Sequence, residues 1–550
     1  MEVLTKIDGL TLIVGYFIVM MMIVLFLRKR EKTKEEFLVA NRSASWILTS
    51  FSMAATWIWA PALFVAAEKA YTQGIVGVFW FVVPNVLTLV LFAFFANKMR
   101  KLRPEGWTFS DYIREKYSNR THNLFLVESF GLQVFSLAVQ LLAGAVIFSK
   151  ITGLPFTLTT LLLALLPLTY TFISGIRSSI ITDFWKMAWI VIVLLLGLPF
   201  MFSSVGPDAL IKGLGGISGD FTGLFSGKGL LVTLSFGIPT TIGLLSGTFG
   251  DQMFWQRVFC VKADKVKKTM ITAAVIFAVV PVSLALFGLF AAGAGLSITD
   301  TQLVNVSAVI EFCPRWFLYL FFVLILSGLV STVDSILCAV SSVAGHDVHI
   351  RVYKKYSERV RNKIFAKNIL QHSFWEFQVW IVDNPVKFGR LVMVTVAFLA
   401  ILIANIPGIT ILYLFLFYGT LRSSVMLPTI FAIKGIKMSE KGLYYGLLTS
   451  MCIGLPIFAI ANLTGNVPAI VFGSLFTILA SGLIAVLWKE KGVLRRGPIV
   501  VGITIDPKLA KSLKELGEAS IKVAEAYRDF NCTLEEVSQL FENEENKKEQ

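Results

Sequence analysis

The sequence predicts an all-α polytopic membrane protein with about 13 transmembrane helices, its N-terminus outside and its C-terminus inside. Three observations carry this. The chain is too apolar for water, since only 15% of its 550 residues are charged, against about 25% in a soluble domain. Its apolar residues come in blocks and not in a 3.6-residue stripe; 11–27, 76–96 and 391–406 are nearly uncharged. Such blocks approach or reach the length needed to cross about 30 Å of hydrocarbon at about 1.5 Å per residue. The basic residues segregate between the blocks.

In chain order the blocks are 8–27, 44–68, 75–97, 122–149, 156–175, 178–203, 229–252, 269–295, 314–345, 389–405, 409–433, 441–462 and 467–488. The first is followed by Arg28, Lys29 and Arg30 without a small-residue cleavage site, so it reads as a retained helix and not a removed leader. Numbering the loops alternately puts 28–43, 98–121, 253–268 and 346–388 on one side, with 6, 7, 5 and 8 Lys and Arg. On the other side, 204–228 has Lys212 and Lys228 and 296–313 has none. The basic set is therefore cytoplasmic, and an outside N-terminus with an inside C-terminus requires an odd number of helices.

The formal net charge of +15 thus reads as membrane topology and not as a nucleic-acid surface. The five scattered cysteines form neither a disulfide framework nor a zinc pattern. The four histidines fall in loops or at helix ends, which disfavours a membrane enzyme. No phosphate-loop motif occurs, and the tail from Lys489 is too short for a nucleotide-binding domain. These features disfavour ATP-driven transport by this chain alone.

Polar residues inside the blocks are expensive and ask for a reason. Asp183 lies in the first turns of the sixth block, Asp334 well inside the ninth, Asp251 at the end of the seventh, and Glu128 near the start of the fourth. The last two are near enough to an end to reach interfacial water. The run Ser331-Thr332-Val333-Asp334-Ser335 places three hydroxyls at i, i+1 and i+4, on one side of a helix. Two readings stand: hydroxyls that bond the preceding turn or a neighbouring helix, or part of an oxygen shell for a hard cation. In the second block, Pro61 cannot donate a hydrogen bond to Trp57, so the helix is broken inside the membrane. That is either a packed kink or an exposed set of carbonyls for substrate and ion.

With those residues identified, the chain resembles the sodium:solute symporter family over roughly residues 8–490. Asn41-Arg42-Ser43 is similar to the family's entry to its second helix. Residues 169–183 (TYTFISGIRSSIITD) resemble its TxxGGxxAVxxTD segment, Asp251-Gln252 with Gln256-Arg257 its DQxxxQR, and Ser331–Ser335 its STxDS. The resemblance implies the LeuT-type fold, two inverted five-helix repeats. It divides the chain into 1–43 (first helix and basic cytoplasmic loop), 44–203 (first repeat), 204–433 (second repeat, with the cytoplasmic loop 346–388), 434–488 (two further helices) and 489–550 (cytoplasmic tail).

It also implies a sodium site made by the carbonyls of Ala55, Ile58 and Gly328 and the hydroxyls of Ser331 and Thr332. Asp183, Asp334 and Ser335 would fall where some members hold a second cation, or would share a proton. Lys186 stands near where the family's segment continues to a glutamine, and Ser174-Gly175 replaces its paired glycines. Trp57-Ile58-Trp59-Ala60, Ala70-Tyr71 and Gly77-Val78-Phe79-Trp80 resemble the urea and polyamine branch. Trp57, Trp59, Asp251 and Gln252 are the expected substrate pocket.

The implied activity is sodium-coupled symport of a small polar organic solute such as urea or an amino acid, by alternating access. Proton-coupled symport on the same fold and a transporter-like sensor are the alternatives. The expected partners are the solute, the sodium ion and the lipid bilayer of the plasma membrane. No cofactor, no metal other than sodium and no nucleic acid is expected, and the protein is expected to act as a monomer.

Overall fold

The computed structural model describes residues 4–27, 33–351 and 384–488. The predicted amphipathic stretch 369–382 and the tail 489–550 lie outside the described residues, as does most of loop 346–388. The described chain is helical. It contains one isolated backbone bridge, Ala44 to Val261, and no strand among the described residues.

The elements are α1 (Lys6–Leu27), α2 (Lys34–Val39), α3 (Trp46–Trp57), α4 (Ala60–Leu102), α5 (Phe109–Lys116), α6 (Asn119–Thr152), α7 (Phe156–Gly213), α8 (Gly227–Val232), α9 (Ile238–Gly250), α10 (Gln252–Cys260), α11 (Val266–Gly293), α12 (Val304–Phe312), α13 (Arg315–Val343), α14 (Pro385–Ala404), α15 (Ile411–Lys434), α16 (Glu440–Thr449), α17 (Leu455–Thr464) and α18 (Val467–Leu487). One turn of π-helix joins α8 to α9, another joins α16 to α17, and a third, Ala344–Val348, extends α13.

Among the described residues, 11 helices are long and apolar enough to cross a membrane. The thirteen apolar blocks all fall on helix. The two numbers differ because α4 and α7 each carry parts of two blocks. At 58 residues, α7 would be about 87 Å long if straight, nearly three times the hydrocarbon thickness. It is interrupted at Gly175 and Gly206, and α4 at Gly74, all with left-handed φ. The protein is an integral, multi-pass membrane protein. Exposed Ile18, Phe26, Phe94, Leu195 and Phe398 fit a surface that faces lipid.

Two features position the site. The second block is broken: α3 stops at Trp57 and α4 restarts at Ala60, ahead of Pro61. Ile58 and Trp59 are left non-helical between them. The freed Ala60 N–H donates to the Gln140 side-chain oxygen at 2.7 Å, which meets the demand that every backbone group in lipid find a partner. The seventh block is broken too. Asp251 ends α9 in an extended conformation and caps α10, its carboxylate accepting from Met253 N–H at 3.0 Å.

At the far end of α11, backbone meets backbone. A Cβ on Gly293 would lie 1.6 Å from the Ala209 carbonyl oxygen, and one on Gly213 would lie 2.0 Å from that of Leu289. Only glycine fits at either position.

Candidate functional site

The break in the second block is met by α13, whose residues from Leu324 to Val343 are buried. Gly328 allows this approach, since a Cβ there would stand 2.8 Å from Leu63 and 3.1 Å from Ile58. The Ser331 hydroxyl lies 3.0 Å from the Ala55 carbonyl oxygen and 2.9 Å from that of Gly328. The Thr332 hydroxyl lies 3.0 Å from the Ile58 carbonyl oxygen and 3.4 Å from that of Gly328. The five oxygens named from the sequence thus form one cluster, fully buried and without formal charge. Five hard, neutral oxygens in a dry site suit a monovalent alkali cation. Without an ion, the hydroxyls satisfy the same carbonyls by hydrogen bonding.

One turn further along α13 the chemistry changes. Asp183, Lys186, Arg257 and Asp334 are all fully buried. Lys186 Nζ pairs with Asp334 Oδ2 and lies 3.5 Å from Asp183 Oδ1 and 3.1 Å from the Tyr170 hydroxyl. Arg257 Nη2 reaches Asp183 Oδ2 at 2.9 Å, Ser335 Oγ at 2.6 Å and Ser179 Oγ at 3.1 Å. Hydroxyls complete the shell: Ser52 donates to Asp183 at 2.7 Å, and Ser179 and Tyr170 to Asp334 at 3.0 and 2.7 Å. Asp183, Asp334 and Ser335 are therefore gathered as the family resemblance implies, around two protein cations. A link runs back to the first cluster, since Ser335 donates to the Ser331 carbonyl at 2.6 Å and lies 2.9 Å from the Thr56 hydroxyl.

The aromatic residues form a layer. Trp57 and Trp59 are buried with ring centroids 6.5 Å apart; Trp59 lies 4.5 Å from Phe415 and 6.2 Å from Tyr418. On one side of the layer is a cavity of about 380 Å³ lined by Phe64, Glu68, Gln73, Phe415, Thr420 and Ser423, among others. Trp57, Trp59, Asp251 and Gln252 do not line it. Trp59 meets it through Phe415.

Near the same layer lies a buried polar group. Gln133 donates to Asp251 at 2.9 Å, and Arg422 donates to the Gly243 carbonyl at 3.0 Å while packing 5.0 Å from the Tyr418 ring centroid. Asp251 Oδ2, Gln133 Oε1, Arg422 Nη2, Glu128 Oε1 and both indole N–H groups of Trp57 and Trp59 lack partners. Buried polar atoms without partners are costly, so these are groups fitted for a polar guest. Gln252 points elsewhere, to Phe109 N–H at 3.2 Å, the Trp107 carbonyl at 3.3 Å and Ser342 at 3.2 Å.

That second neighbourhood joins α2, α5 and the π-turn of α13. Asp347 accepts from Thr108 at 2.8 Å and Ser110 at 2.9 Å and faces His122 at 3.4 Å; His346 faces Asp111 at 3.4 Å and stacks on Trp107. Ligand atoms of Asp111, His346 and Asp347 lie within 4.8 Å of one another, but Lys34, 3.1 Å from His346 Nδ1, and Arg114, paired with Asp111, already supply positive charge. Burial pushes the Asp111 carboxyl up, and His346 and Arg114 more than offset it, so it titrates below its usual range. Burial pulls the Lys34 ammonium down to about 8 against the attraction of Asp347 and Asp111.

The family model for the sodium:solute symporters matches residues 37–450, three quarters of the chain, and spans the broken second block, the charged cluster and α13. The chain belongs to the sodium:solute symporter family. Its relatives include a probable urea active transporter of Schizosaccharomyces pombe, 26% identical over 41% of this chain and 36% of that one. The urea–proton symporter of Oryza sativa subsp. japonica is 22% identical over 78% and 61%, and a high-affinity choline transporter of Caenorhabditis elegans is 23% identical over 62% of each chain. The matches span less than two thirds of these relatives' own length.

Among solved structures, a sodium-coupled sialic acid symporter in an outward-open, substrate-bound state superposes with a TM-score of 0.66, 18% identity and coverage of 88% of this chain and 99% of that one. A nucleobase-cation-symport-1 family transporter gives 0.53 at 13% identity, with coverage of 83% and 94%. The fold is therefore the LeuT-type fold of this symporter family.

Proposed function

We propose that this family member is a sodium-coupled symporter of a small polar nitrogen-containing solute, with urea the leading candidate, in the plasma membrane. In this reading the chain crosses the bilayer thirteen times, N-terminus outside. The observation that carries it is the neutral five-oxygen cluster of Ala55, Ile58, Gly328, Ser331 and Thr332, which joins the broken second helix to α13.

Sodium is co-substrate here. By replacing the hydroxyl-to-carbonyl hydrogen bonds with ligand bonds, it fixes the break against α13 and holds the protein open to the cavity side. The solute passes the Trp59–Phe415–Tyr418 layer and takes up hydrogen bonds left open on Asp251, Gln133, Arg422 and the tryptophans. These offer both acceptors and donors, as a carbonyl flanked by amino groups requires. Closure over the solute and opening to the cytoplasm follow, and each sodium entering down a potential of about 100 mV contributes roughly 2.3 kcal/mol.

The likeness to urea transporters supports the substrate class. One of them is a proton symporter, and the acid–base cluster around Asp183 and Asp334 favours proton coupling as the second reading. The deciding experiment is uptake of labelled urea, amino acids, sugars and short carboxylates into proteoliposomes, with and without an inward sodium gradient at constant pH, for wild type and Thr332→Ala. Sodium-driven uptake of one solute that fails in the variant is expected. Uptake indifferent to sodium and driven by a pH gradient establishes the second reading instead.

A further inference from the structure

The charged cluster beside the sodium site has no deficit of positive charge. Asp183 and Asp334 carry two negative charges, Lys186 and Arg257 two positive ones, and all four are shielded from solvent. The position of the ammonium is informative. Lys186 Nζ faces one oxygen of each acid and the Tyr170 hydroxyl. These three oxygens, from two helices, are the atoms that a cation held between α7 and α13 would need as ligands. Resting on the reading of this protein as a cation-coupled symporter, we infer that the Lys186 ammonium is a built-in second cation. It fills the place between Asp183 and Asp334, so the protein takes up a single coupling ion, at the Ser331–Thr332 site.

Three physical points support this. A sodium ion added to the filled cluster would be repelled by the Lys186 ammonium and the Arg257 guanidinium, which already neutralise both carboxylates, whereas the Ser331–Thr332 site holds no competing cation. A tethered ammonium competes at the very high effective concentration of an intramolecular group. Third, the acids' other oxygens already have donors: Ser52 and Arg257 bond Asp183 Oδ2, and Ser179 bonds Asp334 Oδ1. The cluster is complete as it stands. Replacing Lys186 with a neutral side chain of similar length leaves two acids against one guanidinium, a vacated volume and three oxygens around it. Those are the conditions for binding a free cation.

The test counts radioactive sodium bound per molecule of purified protein in detergent, without solute, for wild type, Lys186→Met, Lys186→Gln, Lys186→Arg, Thr332→Ala and the double variant Lys186→Met/Thr332→Ala. Wild type should bind one ion, lost in Thr332→Ala. Lys186→Met or Lys186→Gln should double the bound sodium, with the added ion surviving Thr332→Ala, while Lys186→Arg adds none. Two ions on wild type, or one that survives Thr332→Ala, overturns the inference and leaves sodium coupling intact. Folded Lys186→Met and Lys186→Gln proteins that gain no ion also overturn it. Wild type that binds no sodium sinks the sodium reading instead, and gain or absence of an ion in the lysine variants still decides the inference. The wild-type count stands even if a lysine variant does not fold.

Discussion

Ser331 and Thr332 face the break in the second helix with neutral oxygens, whereas Asp334 and Ser335, a turn along the same helix, face Lys186 and Arg257. Both regions are dry, and both join α13 to the first half of the chain. The first is made of dipoles that close on themselves by hydrogen bonding and that, in the proposed function, a visiting cation completes. The second is made of full charges that must never be left unbalanced. The contrast shows how one helix serves both a reversible and a permanent contact: the choice lies in whether its positive charge is borrowed or covalent.

The largest expected effect comes from breaking the permanent side. Lys186→Met in sodium-free buffer strands a buried acid, and removing one partner of such a pair costs about 3–5 kcal/mol. The double variant Lys186→Met/Asp334→Asn restores neutrality and should recover most of the loss. A double-mutant cycle on thermal unfolding in detergent measures the coupling, and additive single losses would show that the pair is not an ionic one.

Next is the reversible side. Thr332→Ala should abolish sodium-driven uptake, whereas Thr332→Ser, which keeps the hydroxyl, should raise the sodium concentration for half-maximal uptake by less than about tenfold, roughly 1.4 kcal/mol. Uptake assays over a sodium series check this. Asp251→Asn sharpens the comparison by touching neither side. It should raise the solute KM roughly tenfold while the count of bound sodium is unchanged, and a lost ion would move Asp251 into the cation site.

A separate test is a pH dependence at the cluster of Lys34, His346 and Asp111. The Lys34 ammonium titrates at about 8 in the folded protein and at about 10.4 in an unfolded chain. Between these values the unfolded chain holds the extra proton, so stability rises with pH across that window and is insensitive to Lys34 below it. Lys34→Met should flatten this rise in thermal midpoints measured over the same pH range.

Much of this was readable from the chain. The apolar blocks placed the helices because membrane insertion depends on local composition. The five-oxygen cluster was readable through the family resemblance, which carried Ala55, Ile58, Gly328, Ser331 and Thr332 over together; the hydroxyl run and the break at Pro61 marked its two halves without joining them. Lys186 could be read only as a departure from the family's pattern. Its partners Tyr170 and Asp334 lie 16 and 148 positions away, and no local rule brings them together. Arg422 went unnoticed, although an arginine inside the eleventh apolar block was itself a signal. Gln252 was grouped with Asp251 by adjacency, yet the break between α9 and α10 turns the two side chains toward different partners.

The glycine contacts at the end of α11 carry a mechanical consequence. Where the carbonyls of Ala209 and Leu289 press against Gly293 and Gly213, there is no side chain to slide or re-pair. That seam resists shear and keeps its two helices in one block. The contact between the broken helix and α13 is of the other kind, held by hydroxyls that can release one carbonyl and take another. When the molecule changes shape, slip should run along the second seam and spare the first. In the proposed symport cycle the ion sits in that slip plane, as a removable pin.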